Sequence, residues 1–254
     1  MKQHKGFSVA GVVIGLIALA ILVGATIFLI TKQNERDAEF RDYAYTIMEP
    51  SADNGEIGDH VKGPTDAPII IFEYADFQCP MCASMNPRVN AAVEEADGKL
   101  AVVYRNYLLS YHDNATAAAS AAEAAGLQGY WKAYADKLFS AQSDWYYASG
   151  SERTTLFNDY FKEVTDGKGD IEKFNQDIAS ENISKKISFD MSIGKRVDLP
   201  GTPAFYVDGQ FIDWSNAEGS KVTIDGHEVS WDHSVTGEDF TKLLLEIANA
   251  KNSD

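Results

Sequence analysis

An α/β protein with a helical layer set into its sheet, carried behind one membrane-spanning helix, is the architecture this sequence predicts. Three observations predict it. An uncharged apolar run fills the N-terminus, strand-like segments at 69–77 and 100–109 flank a helix-like one, and strand patterns return only after 203, beyond a long helical stretch.

The elements follow in order. SVAGVVIGLIALAILVGATIFLI, Ser8 to Ile30, has no charged residue and no proline. At about 1.5 Å of rise per residue it covers roughly 30 Å, the hydrocarbon thickness of a bilayer. It is longer than a secretory signal's apolar region and ends Phe-Leu-Ile-Thr-Lys without a small-x-small cleavage site, so an uncleaved anchor over residues 1–31 is expected. Lys2 and Lys5 precede the span, while Lys32 and Arg36 are diluted by Glu35, Asp37 and Glu39. That bias favours a cytoplasmic N-terminus and an extracytoplasmic remainder, where disulfides persist.

Residues 32–57 are polar and acidic and end in Pro, Ser, Asp, Asn and Gly, which reads as a spacer. A domain over 58–254 follows. IIIFEYADF, 69–77, suits a buried central strand, and residues 81–97 read as a helix that contains Pro87 and stops at Gly98. From about 114 to 196 successive amphipathic segments, beginning with NATAAASAAEAAG, form the inserted helical layer. AFYVDGQFIDW and KVTIDGHEVSW read as hairpins turning at Asp208-Gly209 and Asp225-Gly226. A last helix starts after Thr236, with Asp239 three residues on as a capping box.

The formal net charge of -16 and the lack of a basic stripe exclude nucleic-acid binding by phosphate neutralisation. Chemistry concentrates in FEYADFQCPMCASMNP, which holds both cysteines of the chain, Cys79 and Cys82. A structural zinc site takes four ligands, and no second CxxC or paired histidine spacing completes one, so no metal and no cofactor are expected. A disulfide across so short a loop constrains little of the unfolded chain, which argues against a staple. A reactive pair remains. With Cys79 at a helix start and Pro80 at its first position, unpaired N–H groups and the helix dipole favour a Cys79 thiolate, while Cys82 lies on the same face. Cys79 is then the nucleophile and Cys82 the resolving thiol.

The stretches DHVKGPTDAPIIIFEYADFQCPMC (59–82), QGYWKAYADKLF (128–139) and GTPAFYVDG (201–209) resemble the DsbA-like branch of the thioredoxin superfamily. The resemblance implies a thioredoxin-like fold and thiol:disulfide oxidoreductase activity. It implies that Pro203 is a cis proline beside the redox pair, and that Thr202 and Pro203 flank a groove for unfolded substrate. Met81 stands between the cysteines as a further substrate-side residue. Glu73, six residues before Cys79, matches the family's buried carboxylic acid, and burial would raise its pKa so that it trades a proton with Cys82. Asp76, three residues from Glu73, is expected to face the other way. His112 reads as a loop residue assisting the next helix, and Trp131, Tyr130, Trp145, Tyr146 and Tyr147 as core rather than groove.

Expected partners are reduced or unfolded secreted proteins, a membrane redox protein that reoxidises the pair, and the bilayer itself. Disulfide formation is the leading direction, with reductase or isomerase activity, or an inert tethered binding domain, as alternatives. Met81 takes the place where the family's strong oxidants carry histidine, and a neutral thioether supplies no charge to a thiolate, so a less oxidising pair is expected.

Overall fold

A computed structural model describes residues 9–197, 199–215, 219–232 and 234–251. Lys2 and Lys5, on which the orientation argument rests, lie outside these residues, as does His233. The chain divides into two units, residues 1–42 and 43–254.

The first unit is helical: α1 runs Val9–Tyr43, and Val13–Glu35 within it has a mean hydropathy of 2.9 with none of it buried. It is long and apolar enough to cross a membrane. Its hydroxyls are satisfied internally, Thr26 donating to the Leu22 carbonyl at 2.8 Å and Thr31 to that of Ile27 at 2.9 Å, as a hydrocarbon environment demands.

The second unit is built on a five-stranded sheet. Its strands are β1 (His60–Lys62), β2 (Ile69–Ala75), β3 (Leu100–Asn106), β4 (Ala204–Val207) and β5 (Gln210–Phe211), in the order β1-β3-β2-β4-β5. β2 and β3 are parallel, with Ile69 opposite Leu100, and α2 (Pro80–Glu95) makes the crossover that parallel pairing requires. The other neighbouring strands pair antiparallel. Ile69, Ile71 and Glu73 share one face of β2 by the two-residue period, and Ile69 and Ile71 pack there with Met85, Val89 and Ala92 of α2.

The helical layer consists of α3 (Ala115–Gly126), α4 (Trp131–Ser140), α5 (Gln142–Trp145), α6 (Gly150–Val164), α7 (Ile171–Ile178) and α8 (Glu181–Arg196), close to the span expected. Alanine, the strongest helix former, makes α3, and its small side chains let neighbouring helices approach closely enough to bury seven of them. Trp131 and Trp145 are core as expected, whereas Tyr147 is 92% exposed.

Both hairpins turn where the sequence places them. Asp208-Gly209 and Asp225-Gly226 take positive φ at both positions (46° and 74°, then 47° and 90°), the geometry of tight primed turns. The second hairpin, β6 (Ser220–Ile224) and β7 (His227–Trp231), forms a separate sheet. The side-chain amide of Gln210 joins it to the first, donating to the Thr223 carbonyl at 2.7 Å and accepting from the Thr223 amide at 2.9 Å.

Two further expectations change. The capping box at the last helix, α9 (Glu238–Ala250), does not form: Gly237 caps it at φ 58°, and the Asp239 amide donates to the Thr236 carbonyl. Aspartate is one carbon shorter than the glutamate such a box uses. The expected spacer 32–57 is divided, because residues 43–57 pack on the domain. Ala44 and Asn54 are fully buried, and Arg105 of β3 donates to the Tyr43 carbonyl at 2.6 Å and the Thr46 carbonyl at 2.7 Å. A polar composition suggests solvation, but here it supplies acceptors to a buried guanidinium.

Candidate functional site

The strand β2 ends at Ala75, and the chain then turns through Asp76, Phe77 and Gln78 into α2, with Cys79 in the N-cap position (φ −74°, ψ 120°) and Pro80 as first helical residue. Proline fits there because its missing N–H would be unpaired in any case. The Cys79 amide donates to the Asp76 carbonyl at 3.0 Å, and Gln142 of α5 donates to the carbonyls of Phe77 (2.7 Å) and Cys79 (3.1 Å). The turn is therefore held from both sides.

Both cysteines are reduced thiols. Cys82 is fully buried, and Cys79 is 6% exposed. The Cys79 Sγ donates to the Thr202 carbonyl at 3.3 Å, and Thr202-Pro203 is a cis peptide bond. The structure thus brings Thr202 to Cys79 across 123 positions of sequence. The Thr202 hydroxyl is buried with no hydrogen-bond partner among the described residues. Met81 is 42% exposed beside the pair. The indole N–H of Trp214, just before the second hairpin, lies 3.4 Å from the Pro203 carbonyl.

Electrostatics separate the two thiols. A hydrogen bond with Cys82 lowers the Cys79 pKa against the opposing effect of burial, and Thr202 and the backbone N–H groups of Cys82 and Met81 lower it further, to about 6. Burial, then the hydrogen bond with Cys79, push Cys82 well above a free thiol. Alkylation of Cys79 by iodoacetamide should accordingly show a midpoint near pH 6, whereas a midpoint near that of a free thiol would remove the activated-thiolate argument.

Glu73 is 1% exposed, and neither carboxylate oxygen has a hydrogen-bond partner among the described residues. Burial raises its pKa, the nearby Lys62 ammonium restrains that rise, and Asp136 adds to it. Lys62, buried on β1, is itself lowered by burial, and Glu73 acts against that. Asp76 is also buried, and it lies beyond the strand rather than opposite Glu73 on it. It accepts from the amides of Gln78 (2.8 Å) and Leu109 (2.9 Å) and pairs with His112 Nδ1 at 2.8 Å. Beyond the expected loop role, His112 therefore reaches back to the turn that precedes Cys79, while the Ala115 amide also bonds its carbonyl.

Lys62, Asn86, Gln78 and Gln142 are the site residues that sequence reading passed over. Only Asn86 carried a signal, since it lies four residues after Cys82 on the same helix face. No group of three or more potential metal ligands occurs among the described residues.

With this geometry established, comparison places the chain in a family. A family model described as thioredoxin matches residues 56–243, and the chain belongs to the thioredoxin family. Among solved structures it is similar to a thioredoxin-like oxidoreductase from Silicibacter pomeroyi. That match has 25% identity and a TM-score of 0.50, over 61% of this chain and 82% of the other. It also shares its fold with alpha-DsbA1 of Wolbachia pipientis (22% identity, TM-score 0.55, 76% and 92% covered). BdbD of Bacillus subtilis is a further neighbour (21%, 0.53, 66% and 89%).

Curated relatives include a Na(+)/H(+) antiporter NhaA 1 of Mycolicibacterium vanbaalenii, 32% identical over 154 residues. These are 59% of this chain and 23% of that protein. The chain spans about a quarter of the length of the curated relatives it matches.

Proposed function

We propose that this protein is a membrane-tethered thiol:disulfide oxidoreductase that forms disulfides in extracytoplasmic proteins. The observation that carries the reading is the pair of opposed thiols at a helix start, one stabilised as thiolate and one buried, with the Thr202 carbonyl against the first. Stabilising the reduced form makes the disulfide the better oxidant.

The reaction balances as two exchanges. A substrate thiolate attacks Cys79 Sγ of the Cys79-Cys82 disulfide, the S–S bond breaks, and Cys82 leaves with the electron pair and gains a proton that Glu73 supplies. A second substrate thiolate then attacks the substrate sulfur of the mixed disulfide. The substrate leaves oxidised, and Cys79 departs as a thiolate that is stable near neutral pH. Two electrons have moved to the pair, and a membrane redox partner removes them. Met81 and the Thr202-Pro203 edge supply the substrate side, where the Thr202 backbone beside Cys79 suits an extended peptide.

The N-terminal helix anchors this catalytic unit with its amino end in the cytoplasm. Antiport is not carried over, because the match covers only 23% of those transporters. Reductase or isomerase activity is the second reading, favoured by the neutral Met81 beside the thiolate. Equilibrating the full chain in detergent against glutathione buffers should give a potential that Met81→His raises by tens of millivolts, since about 30 mV corresponds to about 1.4 kcal/mol. No exchange with reduced, unfolded protein would leave a binding domain with an inert pair. An unmoved potential in Met81→His would remove the charge argument.

A further inference from the structure

Glu73 has no hydrogen-bond partner among the described residues. Lys62, aligned with Val102 and Ile71 across the sheet, stands on the same sheet face as Glu73, so its ammonium is the positive charge that acts on the carboxyl group. Lys62 Nζ in turn donates to Asn86 Oδ1 at 2.6 Å. The other end of that amide, Nδ2, donates to Asp136 Oδ1 at 2.9 Å. The orientation of the amide is forced. An ammonium only donates and a carboxylate only accepts, so Asn86 must turn its oxygen to Lys62 and its nitrogen to Asp136.

Asp136 is anchored in its own right, by Asn90 at 2.8 Å and Lys132 at 3.0 Å, and opens on a surface groove of about 470 Å³. A neutral residue of α2 thus bridges two charges, one on β1 and one on α4. The titratable groups that face Glu73 are Lys62 from β1, Cys82 from α2, Tyr104 from β3 and Asp136 from α4, while β4 places Phe205 opposite it.

We infer that Asn86, held by Asp136, is a positioning residue that aims the Lys62 ammonium at the Glu73 carboxyl group. The inference deepens the proposed function, since it rests on Glu73 being the proton donor and acceptor for Cys82. Its effect is specific. Asn86 carries no charge, so its loss alters the field at Glu73 by releasing Lys62, while Asn90 and Lys132 still hold Asp136 in place.

The test uses the full chain in detergent with the pair oxidised, so that no thiol titrates and turnover plays no part in the readout. Infrared difference spectra against pH follow the buried protonated carboxyl, assigned by its loss in Glu73→Gln. In Asn86→Ala the band should persist to higher pH, by about one unit, as a charge partner withdrawn from a buried carboxyl allows. In a Lys62→Met background the same substitution should add nothing. A midpoint that Asn86→Ala leaves in place, or an equal shift without Lys62, would overturn the inference. Shifts present in a wild-type protein that carries out no thiol-disulfide exchange would instead strike the proposed function. Asn86→Ser, too short to span both charges, should reproduce the shift, and wild-type behaviour in it would count against the inference equally.

Discussion

Arg105→Met should cost about 3–5 kcal/mol of stability, because it strips a buried carboxylate of one of its two cationic partners. Arg105 is fully buried and donates to Asp59 at 2.7 Å, and Lys186, equally buried, reaches the same carboxylate at 3.0 Å. Burial alone would raise the Asp59 pKa, but Lys186 and Arg105 outweigh it and hold the group at about 2. A depressed folded pKa gives stability that is complete above the unfolded value, about 4, and is lost as pH falls through about 2. Urea titration should therefore show the largest gap between wild type and variant at neutral pH, narrowing below pH 4. Because Arg105 also holds the Tyr43 and Thr46 carbonyls, limited proteolysis within residues 43–57 should accelerate in the variant. A loss below about 1 kcal/mol, the range of exposed pairs, would show that the cluster is not the clamp described.

That cluster also marks where sequence reading stopped. The strand before the cysteines, the helix after them, the alanine-rich helix and both hairpin turns were legible, because each is set by local pattern: a continuous apolar, β-branched and aromatic run, a proline at a helix start, Asp-Gly at a tight turn. The packing of 43–57 was not, since it depends on Arg105 forty or more residues away finding carbonyl acceptors, which composition does not encode. The site divides in the same way. Cys79, Cys82 and Glu73 stand within one short stretch, and Thr202 with Pro203 entered through a resemblance. Lys62 comes from a three-residue strand whose pattern gives no hint of burial, and the link of His112 to Asp76 joins two loops that only the fold brings together. Charged residues read as solvated until a partner is known, and the partners here lie on other elements.

Glu73→Gln should slow the step in which Cys82 gains or loses its proton by about 100-fold, the low end for a positioned acid or base. Burial and the Cys79 hydrogen bond make the Cys82 proton hard to remove, and a negative Glu73 and a negative Cys82 oppose each other. A proton passed between them avoids having both charged at once, which is the economical arrangement for two acids in one dry space. Glutamine keeps the shape and cannot pass the proton. Closure of the disulfide in rapid-mixing experiments should slow, while the Cys79 alkylation midpoint near 6 stays where it is, because the hydrogen bonds that set it come from Cys82, Thr202 and the helix start.

Stability supplies an independent check on the same carboxyl. Its folded pKa is raised, so wild type loses stability as pH climbs from the ordinary carboxylate value toward the folded one, and glutamine carries no such penalty. The stability difference should therefore move in favour of the variant as pH rises. Equal closure rates in the two proteins would leave Glu73 a buried acid without a part in the chemistry. A slowed rate with a flat stability difference would place the effect in packing and not in the proton.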